Sequence, residues 1–94
     1  MDVQHEENGS KGAFFVTKDG VRAGEMTYSR AGDTTIIIDH TQVSDALRGT
    51  GAGKKLLEAV VGWARAEELK VIPLCPFASS VFQKQPELRD VLAS

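Results

Sequence analysis

Cysteine is nearly missing from this chain: Cys75 is the only one among 94 residues. That excludes an internal disulfide and any metal site built from several thiolates. Also lacking is an apolar run near the roughly 20 residues needed to span a bilayer. No charge of one sign dominates either, with 11 Lys and Arg against 13 Asp and Glu, a formal net charge of -2. Such a balance argues against a general nucleic-acid binder or a membrane-surface binder. The leading residues Met1-Asp2-Val3-Gln4-His5-Glu6-Glu7 are polar and acidic and lack a signal-peptide pattern. The expectation is a cytoplasmic protein, with nucleic acid and membrane absent from its partners and no metal site. A chain of this length makes one domain with room for one core and one site.

The patterning that is present predicts an α+β domain. Residues 1–12 are polar, contain Asn8-Gly9-Ser10, and are expected to form a flexible lead before a domain over 13–94. Ala13–Thr17 reads as a first strand, Lys18-Asp19-Gly20 as a hairpin turn, and Val21–Arg30 as a second strand with Gly24 a candidate bulge. After a turn at Ala31-Gly32-Asp33, Thr34–Val43 reads as a third strand. Its Ile36-Ile37-Ile38 run suggests burial on both faces and hence a central place. From about Gly51 to Glu68 the period changes, and Leu56, Leu57, Val60, Ala64 and Leu69 fall near one helical face. Lys70–Cys75 is then a short strand, expected parallel to the third by a right-handed crossover. Pro76 ends it, and Phe77–Lys84 follows as a helix with Phe77 and Val81 turned inward. A last turn or short helix closes the chain. The order βββαβα describes a single mixed, mostly antiparallel sheet.

The densest chemical signal is Arg48-Gly49-Thr50-Gly51-Ala52-Gly53-Lys54-Lys55, between the third strand and the long helix. Three glycines let backbone approach a ligand, and a helix start adds unpaired N–H groups and the positive end of a dipole. The combination is suited to a phosphate or pyrophosphate. A nucleotide P-loop does not fit, because Gly49 and Gly53 are too close and Lys55 stands where the hydroxyl residue belongs. A dinucleotide fingerprint does not fit, because Lys54 replaces the third glycine. The spacing [Arg/Gln]-x-x-Gly-x-[Gly/Ala] does fit, through Arg48, Gly51 and Gly53.

On that signature and the segment Ile72-Pro73-Leu74-Cys75-Pro76-Phe77, the chain from about Ala13 to Leu92 resembles the GCN5-related N-acetyltransferases, in particular their short single-domain branch. The resemblance implies acetyl-coenzyme A as cofactor. Backbone amides from Gly49 to Lys54 would hold its pyrophosphate, with Arg48, Lys54 and Lys55 available to the phosphates and Val43 pairing its backbone with pantetheine. Ser79 and Phe82 would contact the cofactor from the last helix. In larger members a tyrosine on that helix protonates the leaving thiolate, and here Phe82 takes its place without a hydroxyl.

The implied activity is acyl transfer to a primary amine, either directly or through an acetyl-cysteine. Cys75 is the candidate nucleophile and His40, near the end of the adjacent strand, the candidate base. Asp39 is a weaker base candidate and Asp45 a brace for the loop. The helical pair that usually follows the first strand is missing, so the acceptor cleft would be shallow, completed by a protein partner or by self-association. The alternative is a module that binds coenzyme A without catalysis. His5 is expected to be solvated and Trp63 to be partly exposed.

Overall fold

The computed structural model describes residues 2–93. Its sheet has five strands in chain order, β1 (Gln4–Asn8), β2 (Lys11–Lys18), β3 (Val21–Arg30), β4 (Thr35–Val43) and β5 (Lys70–Pro73). The first four pair antiparallel, and β5 joins β4 in parallel. Two helices complete the domain, α1 (Ala52–Ala66) and α2 (Pro76–Lys84), with short 3₁₀ turns at Asp45–Leu47 and Pro86–Val91. The expected α+β class and mixed sheet are therefore present, with one more strand at the front than the sequence pattern suggests.

That extra strand corrects the reading of residues 1–12 as a flexible lead. Gly9 has φ +66°, and with Ser10 it closes a two-residue turn between Asn8 and Lys11. All five β1 residues are exposed, so the strand carries no alternating apolar pattern that a sequence reading could detect. Asp19 and Gly20 both have positive φ, 54° and 81°, as a type I′ turn requires, and they join β2 to β3 as expected.

The core lies between one face of the sheet and the helices. Phe14, Val16, Met26, Tyr28, Ile36 and Ile38 meet Leu56, Leu57, Val60, Val61 and Ala64 of α1, and Ala78 and Phe82 of α2. Ile36 and Ile38 are fully buried and Ile37 half-buried, so β4 is interior as its apolar run implied. No polar side chain among the described residues is buried without a partner. At the C-terminus of α1, Glu68 adopts a left-handed φ of 56°, and Leu69 N–H bonds Ala64 carbonyl across 2.8 Å to finish the helix. The opposite face of the sheet bears Lys11, Ala13, Arg22, Glu25, Thr27 and Asp39, which border an open hollow of about 700 Å³. Among the described residues no helix is long and apolar enough to cross a membrane.

Two irregularities set the geometry of β4. The register of β3 against β4 passes from Thr27–His40 to Tyr28–Ile38, leaving Asp39 as an extra residue. A bulge of this kind reverses which side chains face a given side. Before it, Ile36 and Ile38 point to the helices; after it, Thr41 and Val43 do. Second, β4 and β5 pair only as far as Ile38 and Pro73. The N–H groups of Leu74 and Cys75 both bond the Ile38 carbonyl, at 3.1 and 3.2 Å, and there the strands part.

Candidate functional site

The parting strands open toward the glycine loop. A hollow of about 440 Å³ is bordered by Thr41 and Val43 of β4, Leu47 to Gly49 of the loop, Gly51 to Lys54 at the start of α1, and Phe77 and Val81 of α2. Its wall is mostly apolar at the β4–α2 side and backbone-rich at the loop side.

The loop side is built by conformation. Gly49 and Gly51 have φ of +82° and +77°, values that a side chain makes costly. Gly51 is the N-cap of α1 and offers no side chain to it. Among the described residues the N–H groups of Gly51, Ala52, Gly53 and Lys54 find no backbone acceptor; the first bond onto the cap is from Lys55 N–H to the Gly51 carbonyl, at 3.0 Å. These free donors sit at the positive end of a 15-residue helix. Gly53 lets Phe77 approach the helix start closely: a Cβ there would lie 2.7 Å from the tip of the Phe77 ring. Arg48 borders the hollow and holds Asp45 at 2.7 Å, both side chains being largely exposed. Asp45 thus braces the loop, as expected.

The other side chains expected here divide. Val43, Arg48, Gly49, Gly51, Ala52, Gly53 and Lys54 border the hollow. Thr50 turns its hydroxyl to the Leu47 carbonyl at 2.6 Å and serves the loop itself. Lys55 is exposed and Ser79 half-buried, and neither borders the hollow. Phe82 is corrected: it is 3% exposed and belongs to the core. Phe77, expected to face inward, is 39% exposed and borders the hollow together with Val81. Helix α2 begins at Pro76, so its phase turns residues 78 and 82 into the core and 77 and 81 toward the loop.

Cys75 is the N-cap of α2, is 4% exposed, and donates its thiol to Thr41 Oγ1 at 3.2 Å. Burial pushes this thiol up, but hydrogen bonds given to its ionised form by the Thr41 hydroxyl and by backbone groups of Ala78, Phe77 and Thr41 outweigh it and hold its pKa below the ordinary value. The expected pairing with His40 is not formed. His40 follows the Asp39 bulge and precedes Thr41, so it projects to the opposite face and is exposed, its carbonyl accepting from Thr27 at 3.5 Å. Asp39 also lies on that face and accepts from Ser29 Oγ at 2.8 Å. Thr41 is the residue that sequence reasoning missed. The only signal for it was its adjacency to His40, which the bulge reverses.

At the far end of the sheet a second polar group is assembled. His5 stacks on Phe14 with ring centres 4.0 Å apart and meets Trp63 edge-on at 4.7 Å. Tyr28 donates its hydroxyl to Glu7 at 2.9 Å and accepts from His5 Nε2 at 2.6 Å. Arg30 grips Glu7 through two nitrogens, at 2.7 and 3.1 Å. His5 is therefore engaged, contrary to its expected solvation, while Trp63 is half-buried, as expected.

Residues 13–91 match the family model described as GCN5-related N-acetyl-transferase. Protein NATD1 of Xenopus tropicalis is 31% identical over 61 residues, 65% of this chain and 56% of that protein, so the match spans little more than half of that relative. A solution structure from Staphylococcus aureus described as GCN5-like is 38% identical and superposes with a TM-score of 0.74, covering 97% of this chain and 88% of that one. An aminoglycoside N-acetyltransferase solved with coenzyme A shares the fold at 14% identity, with a TM-score of 0.64 and 88% of each chain covered.

Proposed function

The chain belongs to the GCN5-related N-acetyltransferase family, and from that premise we propose that it binds acetyl-coenzyme A and transfers the acetyl group to a primary amine. The observation that carries the reading is the juxtaposition of the free N–H groups of Gly51–Lys54 with the gap beyond the last β4–β5 pair. The donor set fits a pyrophosphate: four backbone N–H groups at a helix start, with Arg48 and Lys54 beside them. The gap fits an extended, mostly apolar arm, since the β5-facing edge of β4 is unpaired beyond Ile38 and Val43, Phe77 and Val81 line the way. Unpaired backbone on that edge near Val43 would also polarise the acetyl carbonyl.

Acetyl-coenzyme A supplies an activated thioester. Cys75 would serve as the nucleophile: its thiol is bonded to Thr41, which borders the gap, and hydrogen bonds hold its pKa below the ordinary value. A bond from Sγ to the acetyl carbon would form as the coenzyme A C–S bond breaks, the Cys75 proton passing to the departing coenzyme A thiolate. The amine would then displace Cys75, a C–N bond forming as the Sγ–C bond breaks, and the proton lost by the amine would end on the released Cys75 thiolate. Neither a protein acceptor nor a small one is favoured by the residues bordering this gap, and the open hollow on the opposite face leaves room for a partner or a second copy of the chain.

Isothermal titration with acetyl-coenzyme A tests the binding half, and saturable binding is expected. Turnover is read as thiol release in a screen of amine acceptors. Intact mass after incubation should show one acetyl adduct that disappears in Cys75→Ala. Full turnover in Cys75→Ala would assign direct transfer instead, and binding without turnover on any amine would leave a coenzyme A-binding module.

A further inference from the structure

Every group recorded on the Cys75 sulfur is neutral: the hydroxyl and backbone of Thr41, and the backbones of Phe77 and Ala78. No histidine, lysine or arginine contacts it among the described residues. The sulfur lies behind Thr41, which borders the 440 Å³ hollow while Cys75 does not. Thr41 reaches this position only because Asp39 bulges out of β4 and moves the odd-numbered side chains to the helix side. We propose that Thr41 is the positioning residue of this site, its Oγ1 fixing the Cys75 side chain against the gap between β4 and β5 and donating to the sulfur when the thiol ionises.

The chemistry follows from the donor inventory. A hydroxyl has one proton and can reverse its role, accepting from a thiol and donating to a thiolate, without a charge of its own. The α2 N-terminus supplies fixed donors from Phe77 and Ala78, whereas Thr41 supplies the movable one from the opposite strand. Thr41 is also β-branched, and its stiff χ1 keeps the hydroxyl aimed. His40 is excluded from this role by the same bulge that admits Thr41. The inference rests on the reading of Cys75 as the reactive group, but its central test needs no acetyl-coenzyme A.

The ultraviolet absorbance of the thiolate, followed against pH in the folded protein, reports the ionisation of Cys75 alone, since the chain has one cysteine; Cys75→Ser provides the blank. Thr41→Val keeps the shape and removes the hydroxyl, and it should move the midpoint up by about one pH unit, a tenfold loss of thiolate at a fixed pH below it. Thr41→Ser restores the hydroxyl and should return the midpoint toward the wild-type value. An unchanged midpoint in Thr41→Val overturns the proposal, as does an equal shift in Thr41→Val and Thr41→Ser, which would assign the effect to packing. If Thr41→Val does not fold, as judged by thermal melting, Thr41→Ala against Thr41→Ser makes the same comparison. Incubation with acetyl-coenzyme A separates the two levels: the predicted midpoints with no adduct in the wild type would retain Thr41 as the positioning residue and remove Cys75 as the nucleophile.

Discussion

The two ends of the sheet are built by opposite means. At the β1–β2 end, side chains close over the sheet: His5, Phe14, Tyr28 and Trp63 pack ring to ring, and Glu7 and Arg30 seal the polar edge. At the β4–β5 end, backbone irregularities hold the structure open: a bulge at Asp39, strands that part after Ile38, and a helix that starts on a left-handed glycine. The first end ties its polar side chains to one another. The second leaves N–H donors and a strand edge unpaired, which only a ligand or water can satisfy.

A glycine-to-alanine change at each end should break this contrast most visibly. The Cβ of Gly12→Ala would lie 2.4 Å from the Tyr28 ring and hydroxyl, which are buried and tied to His5 and Glu7. A loss of about 2 kcal/mol in unfolding free energy is expected from urea denaturation, the overpacking cost being only partly offset by reduced chain entropy. Acetyl-coenzyme A affinity per folded molecule should not change. In Gly53→Ala the new Cβ meets the far tip of Phe77, a side chain 39% exposed that can swing away. Stability should then change by less than about 1 kcal/mol, helix propensity offsetting the contact, while calorimetry should find affinity for acetyl-coenzyme A weakened about tenfold, or ~1.4 kcal/mol. Equal behaviour of the two variants would dissolve the distinction between the two ends.

Tyr28→Phe probes the closed end alone. It removes the hydroxyl between His5 and Glu7 and should cost about 1 kcal/mol by denaturation, with thiol release per folded molecule unaffected.

The smallest effect is a pH dependence. Burial lowers the His5 pKa below 6.5, Glu7 opposing and Arg30 assisting; the hydrogen bond from Arg30, with a smaller one from Tyr28, lowers that of Glu7 below 4.5. Both groups bind more protons unfolded than folded, so stability rises with pH through each window. It should fall as pH drops from 6.5 toward the folded His5 value, and again below 4.5 as Glu7 protonates. The melting temperature of His5→Gln should lose the upper of these slopes; an identical slope would show that His5 does not contribute it.

Most elements were legible because burial leaves a period in the chain. β3 runs over the expected Val21–Arg30, the Asp19-Gly20 turn lies where its sequence put it, and α1 buries the expected Leu56, Leu57, Val60 and Ala64. The crossover between β4 and β5 and its parallel sense followed from the intervening helix. Of the site, the loop was legible and its α2 wall was not, since Phe77 and Phe82 are both apolar and only the phase set by Pro76 separates them.

By itself, then, the sequence determined the kind of sheet, the crossover and the glycine loop, because alternation, helical period and glycine spacing are local quantities. Tertiary structure alone decided three things. β1 joins the sheet although none of its residues is buried, because its stability comes from backbone pairing with β2 and the His5 and Glu7 contacts with Tyr28 of β3. The Asp39 bulge gave Cys75 a threonine partner in place of a histidine, because one unpaired residue in a strand reverses every side chain after it. And the unfilled donors of Gly51–Lys54 came to face the strand gap, because α1 and α2 pack on the same core and bring a loop and a strand edge together that are separate in the chain.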